Sequence, residues 1–312
     1  MKRLVLACAI ASLVVVGGRL TFGQGRGNPF IDHSDTGETI HVLPAPAAIH
    51  SPHDTQPTDA PAHRGFSVFP GSYGSGNLIN HGGHEISGAG FFAIYWNSSV
   101  ANSRDSKGTG TLQTEIANFA SSFDKDLDYN LIQQYSATDT ISSTLSFAGD
   151  LVDTRPTQSS IADSKVKSYI ASLFNSGLVT ANANTIYGVY FPSSMKITSQ
   201  GGSSCAAFCG YHGHFAYNGK DIKYAVFPYT DCRACSVPGK AVADILTIVT
   251  SHEIREAVTD PDLNAWYDGA GYEADDKCAW HNLYQTSTGH FWVQPEYSNG
   301  LAGKPGPGCV VP

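Results

Sequence analysis

The spacing of hydrophobic positions along the chain changes at about residue 90. From there on, apolar residues recur either in continuous runs or at three- and four-residue steps. The stepped pattern predicts amphipathic helices over 109–124 and 160–176. Strands are predicted at 91–96, 141–152 and 185–191, the first and last of them as continuous apolar runs. Strands and helices therefore alternate through the first half of the region that follows residue 90.

A hairpin and a long helix are predicted next. Residues 212–217 and 221–227 flank an Asn-Gly turn, which is typical of a β-hairpin. Pro238 and Gly239 precede a helix over about 240–258, which the Asp-Pro pair at 260–261 would end. This order predicts an α+β fold with a mixed sheet, packed helices and a loop-rich C-terminal lobe.

The pattern also divides the chain into three parts. Residues 1–23 begin with the basic residues Lys2 and Arg3 and continue with a short apolar run and small residues, as a secretory signal peptide does. Residues 24–88 show no apolar periodicity and favour a flexible tail, with a removable pro-segment or a loose metal-gathering tract as alternatives. Residues 89–312 are predicted to form a single domain, with a core at 89–258 and a lobe at 259–312. Seven of the twelve histidines fall in the tail: His33, His41, His50, His53, His63, His81 and His84.

Composition narrows the class of protein. With 27 acidic against 19 basic residues, the chain is not a basic nucleic-acid binder. No stretch after residue 23 is long and apolar enough to predict a membrane span. Six cysteines follow the signal peptide, and export favours three disulfides, with fifteen possible pairings. The alternative is a zinc site formed by the four thiolates of two closely spaced pairs, CAAFC at 205–209 and CRAC at 232–235. The six are Cys205, Cys209, Cys232, Cys235, Cys278 and Cys309.

The long helix carries the candidate chemistry. Its apolar stripe, continued by the same steps, reaches His252, Glu253 and Glu256. Left unpaired, these groups would cost several kcal/mol to bury, whereas a bound cation would turn their repulsion into attraction. His252 and Glu256 lie one helical turn apart, as two ligands of one ion require. Glu253 is then placed to take a proton from a metal-bound water. The stripe consists of Val242, Ile245, Leu246 and Val249.

The segment from His252 resembles the HExxH motif of the zincin peptidases, with Glu256 in place of the second histidine. The resemblance implies zinc and, in the metzincin-like spacing, a third ligand at Asp262. Asp260 is an alternative nearer the helix end, and Glu273 or Asp276 would suit a gluzincin-like arrangement. A set so rich in carboxylates is also compatible with calcium or manganese.

Other interpretations compete with the metal site. His252 and Glu256 would need no ion if they lay on a solvated helix end, with Arg255 pairing locally. His212 and His214 lie two apart on a predicted strand and so point to one face, where they could chelate. Packing or hydrogen bonding is the favoured role for those two.

A wider resemblance covers residues 88–312. FFAIYWNSS at 91–99, GYHGHFAYNGKDIKYAVFP at 210–228 with CRAC beyond it, AVTDP at 257–261 and the last cysteine resemble the exordium, or phosphate-induced protein, family. The resemblance implies an extracellular protein associated with the cell wall. Two functions are therefore predicted. One is a secreted or periplasmic zinc-dependent peptidase, and the other is a non-catalytic extracellular module that binds wall polysaccharide or a protein partner.

Overall fold

A seven-stranded mixed sheet is the centre of the fold. The computed structural model describes residues 27–49, 62–63, 66–193 and 195–312, so the predicted signal peptide lies outside the described residues. The strands of the sheet, in chain order, are β1 (Ile31–His33), β2 (Thr39–Pro44), β3 (Gly90–Trp96), β4 (Ser146–Asp153), β5 (Thr185–Tyr190), β6 (Phe208–Tyr217) and β7 (Lys220–Phe227).

The sheet has a parallel half and an antiparallel half. The spatial order is β1-β2-β6-β7-β5-β3-β4. Strands β7, β5, β3 and β4 are parallel to one another. The pairs β1-β2, β2-β6 and β6-β7 are antiparallel, so β7 joins the two halves. The antiparallel half brings a segment from near the N-terminus beside the hairpin β6-β7.

Helices cover both faces of the sheet. The three longest are α1 (Leu112–Ser122), α2 (Asp163–Asn175) and α3 (Val242–Thr259). Because side chains alternate along a strand, Phe91 and Tyr95 of β3 join the core that contains α1 and α3, whereas Ile94 joins the core that contains α2. The sheet therefore lies between α2 on one side and α1 with α3 on the other.

Short elements connect and flank these layers. A four-stranded sheet pairs Gly308–Val311 with both Glu296–Ser298 and Phe66–Phe69, and Phe66–Phe69 also pairs with Ala62–His63. The other short strands are Ile79–Asn80, Ser160–Ala162, Lys196–Thr198, Trp266–Tyr267, Tyr284–Gln285 and Trp292–Val293. Short α-helices are Pro46–Ile49, Ser98–Ala101 and Leu127–Asn130, and 3-10 turns are Phe123–Lys125, Leu131–Tyr135, Arg233–Cys235 and Asp276–Cys278.

The main sequence predictions of the folded part are confirmed. The structure is α+β, with a mixed sheet, packed helices and disulfides towards the C-terminus. The long helix spans Val242–Thr259, and its backbone leaves helical geometry at Asp260. The turn of the hairpin has positive φ at both Asn218 and Gly219, as a two-residue hairpin turn requires. Among the described residues, none of the helices combines the length and apolarity needed to cross a bilayer.

The prediction of a flexible tail over 24–88 is wrong for the parts that the structure describes. Strand β2 pairs with β6 inside the central sheet, and Leu43 is fully buried. Phe66–Phe69 pairs with the last strand of the chain. A six-residue strand is too short to show a clear period, and its neighbours are rich in Pro, Gly and Asp, so the pattern concealed it. Removal of this segment on maturation stays a prediction.

Candidate metal centre

Helix α3 places three ionisable side chains in the interior of the protein. His252 and Glu253 are fully buried, and Glu256 is 1 % exposed. The alternative of a solvated helix end is therefore wrong, because the sheet covers one side of this turn and the C-terminal region covers the other. His252 Nε2 lies 3.0 Å from Glu256 Oε2, as the one-turn separation predicts.

Two histidines reach the same place from the sheet. His212 on β6 is the direct cross-strand partner of His41 on β2, with ring centroids 5.8 Å apart. Their sequence neighbours Ile40, Val42 and Tyr211 point into the core that contains α2. Because side chains alternate along a strand, His41 and His212 point to the other face, towards α3. His212 Nδ1 lies 3.2 Å from Glu253 Oε2 and 3.7 Å from Glu256 Oε2.

The loop after the helix adds two carboxylates. Glu273 contacts His41 Nδ1 through Oε2, and the same oxygen lies 3.8 Å from His212 Nε2. Asp276 Oδ1 lies 3.8 Å from His252 Nε2, and the Asp276 amide donates to Glu256 Oε1 at 3.0 Å. Four separate segments thus converge on one buried point. We call the set His41, His212, His252, Glu253, Glu256, Glu273 and Asp276 the histidine–carboxylate cluster.

The spacing of these atoms suits metal ligation. Two ligands on one zinc ion with bonds of about 2.0–2.1 Å lie roughly 3.3 Å apart in tetrahedral geometry. Nitrogen-to-oxygen distances of 3.0–3.8 Å between His252, His212 and their carboxylate partners bracket that value. Three groups within the cluster have ligand atoms within 4.8 Å of one another: His41 with Glu273 and Asp276, His212 with Glu256 and Glu273, and His252 with Glu253 and Glu256.

Gly210 allows the helix to lie this close to the sheet. A Cβ atom at this position of β6 would lie 2.3 Å from Val249 Cγ1 and 2.8 Å from Glu253 Oε1. Both distances are far shorter than a carbon atom tolerates, so any larger residue would push α3 away from His212. The glycine therefore sets the distance between the strand ligand and the helix ligands.

Burial disfavours the charged form of every ionisable group in the cluster. It raises the pKa of Glu253, Glu256, Glu273 and Asp276 well above the usual range, and the carboxylates raise one another further. Burial lowers the pKa of His252 to about 4 and that of His212 well below its usual value. The imidazoles are consequently neutral at pH 7, which is the form that binds metals.

Several of these polar atoms have no hydrogen-bond partner among the described residues. They include His212 Nε2, both ring nitrogens of His252, Glu253 Oε1 and both carboxylate oxygens of Glu273. A buried polar atom without a partner costs about 1–3 kcal/mol, and more if it is charged. A cation at the centre of the cluster would engage the carboxylate oxygens and imidazole nitrogens together.

Arg255 anchors the loop that carries Asp276. Its guanidinium is fully buried and contacts Asp128, Asp275 and Glu296, while Gln294 holds Asp275 as well. Because Asp275 is fixed by this contact, its neighbour Asp276 is turned towards His252. We call Arg255, Asp128, Asp275 and Glu296 the Arg255 cluster.

Asp260 and Asp262, the two predicted third ligands near the end of the helix, lie in different surroundings. Asp260 is buried, and its Oδ1 accepts hydrogen bonds from the amides of Asn264 and Ala265 at 2.6 and 2.5 Å. Its other oxygen has no hydrogen-bond partner among the described residues, and burial raises its pKa to about 6. Burial and then the charge of Asp260 raise the pKa of Glu273, so Asp260 lies directly beside the cluster, at the end of the helix.

Asp262, the ligand implied by the metzincin-like spacing, lies in another group. Its Oδ1 contacts Lys223 Nζ and is 3.9 Å from His214 Nδ1. The chain turns at Asp260-Pro261, which carries residue 262 away from His252. His214, Asp221 and Asp262 are close enough to bind an ion, but Lys223 already contacts both carboxylates there. The structure thus brings His252, Glu253, Glu256, Glu273 and Asp276 together without Asp262.

Sequence reasoning missed His41 and gave His212 a packing role. The alternation of side chains along a strand already placed His212 and His214 on the same face of the strand. The sequence did not indicate which face of the strand packs against α3. His41 lay in a segment without periodicity, so nothing in the sequence linked it to residues more than 170 positions away. Only the pairing of β2 with β6 makes the two histidines neighbours.

The six cysteines form three disulfides, as predicted. The pairs are Cys205–Cys232, Cys209–Cys235 and Cys278–Cys309. The four-thiolate zinc alternative is wrong, because the thiolates it needs are bonded to each other. Cys278 follows Asp276 by two residues, so its disulfide ties the ligand-bearing turn to the last strand.

No family model, curated protein or solved structure matches this chain. The function is therefore inferred from the site itself.

Proposed function

We propose that the protein is a secreted hydrolase of the metallopeptidase kind, with a divalent cation in the histidine–carboxylate cluster. The observation that supports this proposal is the burial of four carboxylates with three neutral imidazoles and no lysine or arginine ion pair to them among the described residues. Such a set is costly without a cation and is a strong ligand set with one. The three disulfides and the resemblance to the exordium family support an extracellular location.

Zinc is the first candidate for the ion, and manganese the second. Imidazole nitrogen suits zinc and other transition metals, whereas calcium takes oxygen ligands almost exclusively. Three histidines in one cluster therefore disfavour calcium. When bound, the cation would polarise a substrate carbonyl and make water a stronger acid.

Glu253 is the general base of the proposed reaction. Its Oε2 faces His212 Nδ1, which fixes the carboxylate, and its Oε1 has no hydrogen-bond partner among the described residues. A base near its optimum has a pKa close to the working pH, and burial raises the pKa of Glu253 in that direction. Glu253 would take a proton from the attacking water as the C–O bond forms. It would then pass that proton to the leaving amine as the C–N bond breaks.

Metal content and proteolysis test this proposal together. We expect the purified protein to contain at least about one equivalent of zinc or manganese and to cleave casein. Glu253→Gln should abolish cleavage while metal content stays the same, because the base is lost and His252 and Glu256 remain. Glu38→Gln, at an exposed glutamate paired with Lys167, is the matched control and should leave both unchanged. Metal-free protein whose thermal stability is unaffected by chelator would refute the proposal.

The enclosure of the cluster supports a second candidate. All seven residues are at most 5 % exposed, and structural metal sites are closed whereas catalytic ones keep an open position. In this case the metal stabilises a non-catalytic extracellular module that binds cell-wall polysaccharide or a protein partner. Metal-loaded protein would then bind insoluble glycan without cleaving casein, and Glu253→Gln would leave binding unchanged.

A further inference from the structure

We infer that the histidine–carboxylate cluster holds two divalent cations, one beside His252 and Glu256 and the other beside His41 and Asp276. This inference rests on the proposed function, since it concerns the same buried centre. It adds a binuclear arrangement, in which Glu256 and Glu273 lie between the two ions.

The number of ligand atoms exceeds what one ion can use. A zinc ion takes four ligands, and three of them come from the protein in catalytic sites. Apart from the proposed base Glu253, the cluster offers three imidazoles and three carboxylates, every one of them at most 5 % exposed. A single zinc ion would leave at least two of these six groups buried and unligated, at the cost of an unsatisfied buried polar group each.

The ligand groups also form a chain with two separate ends. The group at His252, Glu253 and Glu256 shares no residue with the group at His41, Glu273 and Asp276. The third group, at His212, Glu256 and Glu273, takes one carboxylate from each end. Carboxylates shared in this way are the natural bridges of a two-metal site, in which the ions lie about 3.5–4 Å apart.

The imidazole of His212 faces both ends of this chain. Its Nδ1 is directed at Glu253 and Glu256 on the helix, at 3.2 and 3.7 Å, whereas its Nε2 is 3.8 Å from Glu273 on the loop. A metal-bound histidine commonly has a carboxylate at its second ring nitrogen, so His212 would bind one of the two ions through one nitrogen and face a carboxylate with the other.

Charge balance is compatible with two ions. Carboxylates that bind a cation are ionised, and two divalent cations would balance the four carboxylates of the cluster. Arg255 and Lys277, the buried cations adjacent in sequence to Glu256 and Asp276, are engaged by the Arg255 cluster and by Asp268 respectively.

Metal stoichiometry tests the inference with matched variants. After dialysis, elemental analysis of the exported protein should give about two equivalents of zinc or manganese per chain. His41→Ala and His252→Ala, which each change only one end of the cluster, should each retain about one. His214→Ala should retain two, because His214 lies outside the cluster in the half-exposed group with Asp221 and Asp262.

The outcomes separate this inference from the proposed function. One equivalent in the unaltered protein would overturn the binuclear arrangement and leave a metallopeptidase intact, whereas no metal would overturn both. If the unaltered protein held two equivalents and His214→Ala held only one, the second ion would lie at the group of His214, Asp221 and Asp262. That result would also overturn the binuclear arrangement. Manganese-loaded unaltered protein gives a test that needs no variant to fold. Exchange coupling between two Mn²⁺ ions in its electron paramagnetic resonance spectrum is expected, and two uncoupled signals would contradict the inference.

Discussion

Two buried clusters of carboxylates lie against the same turn of helix α3, and they differ in what balances them. The Arg255 cluster contains a guanidinium of its own, in contact with Asp128, Asp275 and Glu296. The histidine–carboxylate cluster has four carboxylates to the Arg255 cluster's three and is also buried, but its nitrogens belong to imidazoles that burial keeps neutral. The chain supplies a cation to one cluster, and we propose that the other takes its cations from solution.

The largest expected effect comes from removing the internal cation. Arg255→Met should destabilise the protein by about 3–5 kcal/mol, because three buried carboxylates would lose the guanidinium that they share. The loss should persist in excess zinc, since the metal ligands are untouched. Urea denaturation measures it, and Arg233→Met, at an exposed arginine, is the control. A loss below about 1 kcal/mol would mean that the two clusters do not differ as described.

The second prediction concerns pH in the metal-free protein. The pKa of His252 falls from 6.5 to about 4 on folding, so its stabilising contribution is complete above pH 6.5 and is lost as the pH falls towards 4. The pKa of Asp260 rises from 3.8 to about 6, so its contribution is present at low pH and is lost as the pH rises through that range. The raised pKa values of Glu253, Glu256, Glu273 and Asp276 extend this loss to higher pH.

Between about pH 4 and pH 6.5 these two contributions change in opposite directions, whereas above pH 6.5 only the carboxylates still act, so chelated protein should lose stability as the pH rises further. The metal-loaded protein should keep its stability above neutral pH, because the cation holds the ligands deprotonated. We expect the difference in the free energy of unfolding to widen by about 3 kcal/mol between mildly acidic and mildly basic solution. A chelator effect that is independent of pH would count against a metal bound to these residues.

The smallest effect changes sign with the metal. Glu256→Gln replaces a buried acid with a neutral group of the same shape, so it should stabilise chelated protein by about 1–2 kcal/mol at pH 7. In excess zinc the same substitution should destabilise the protein, because a ligand is lost. Glu38→Gln should do neither, and paired urea curves with and without chelator would show the crossover. A loss of equal size in both conditions would assign Glu256 a purely structural role.

The ligands on helix α3 could be predicted from the local sequence pattern. The other ligands of the centre depend on contacts between segments that are far apart in the sequence. The i, i+4 spacing of His252 and Glu256 is a property of any helix, so the sequence sufficed for that pair. Asp262 was predicted from the spacing of another family and lies elsewhere, because the chain turns at Asp260-Pro261. Glu273 and Asp276 were open alternatives, and the contact between Arg255 and Asp275 is what turns Asp276 inward. His41 depended on a sheet register that no local pattern encodes.

The pairing of His41 with His212 also bears on the order of folding. A contact between residues so far apart in sequence forms late, since the entropy of closing a long loop must be overcome first. The helix ligands can form early, but the complete ligand set exists only after β2 has docked beside β6. The full ligand set, and with it tight binding of the proposed metal, is therefore expected only at one of the last steps of folding.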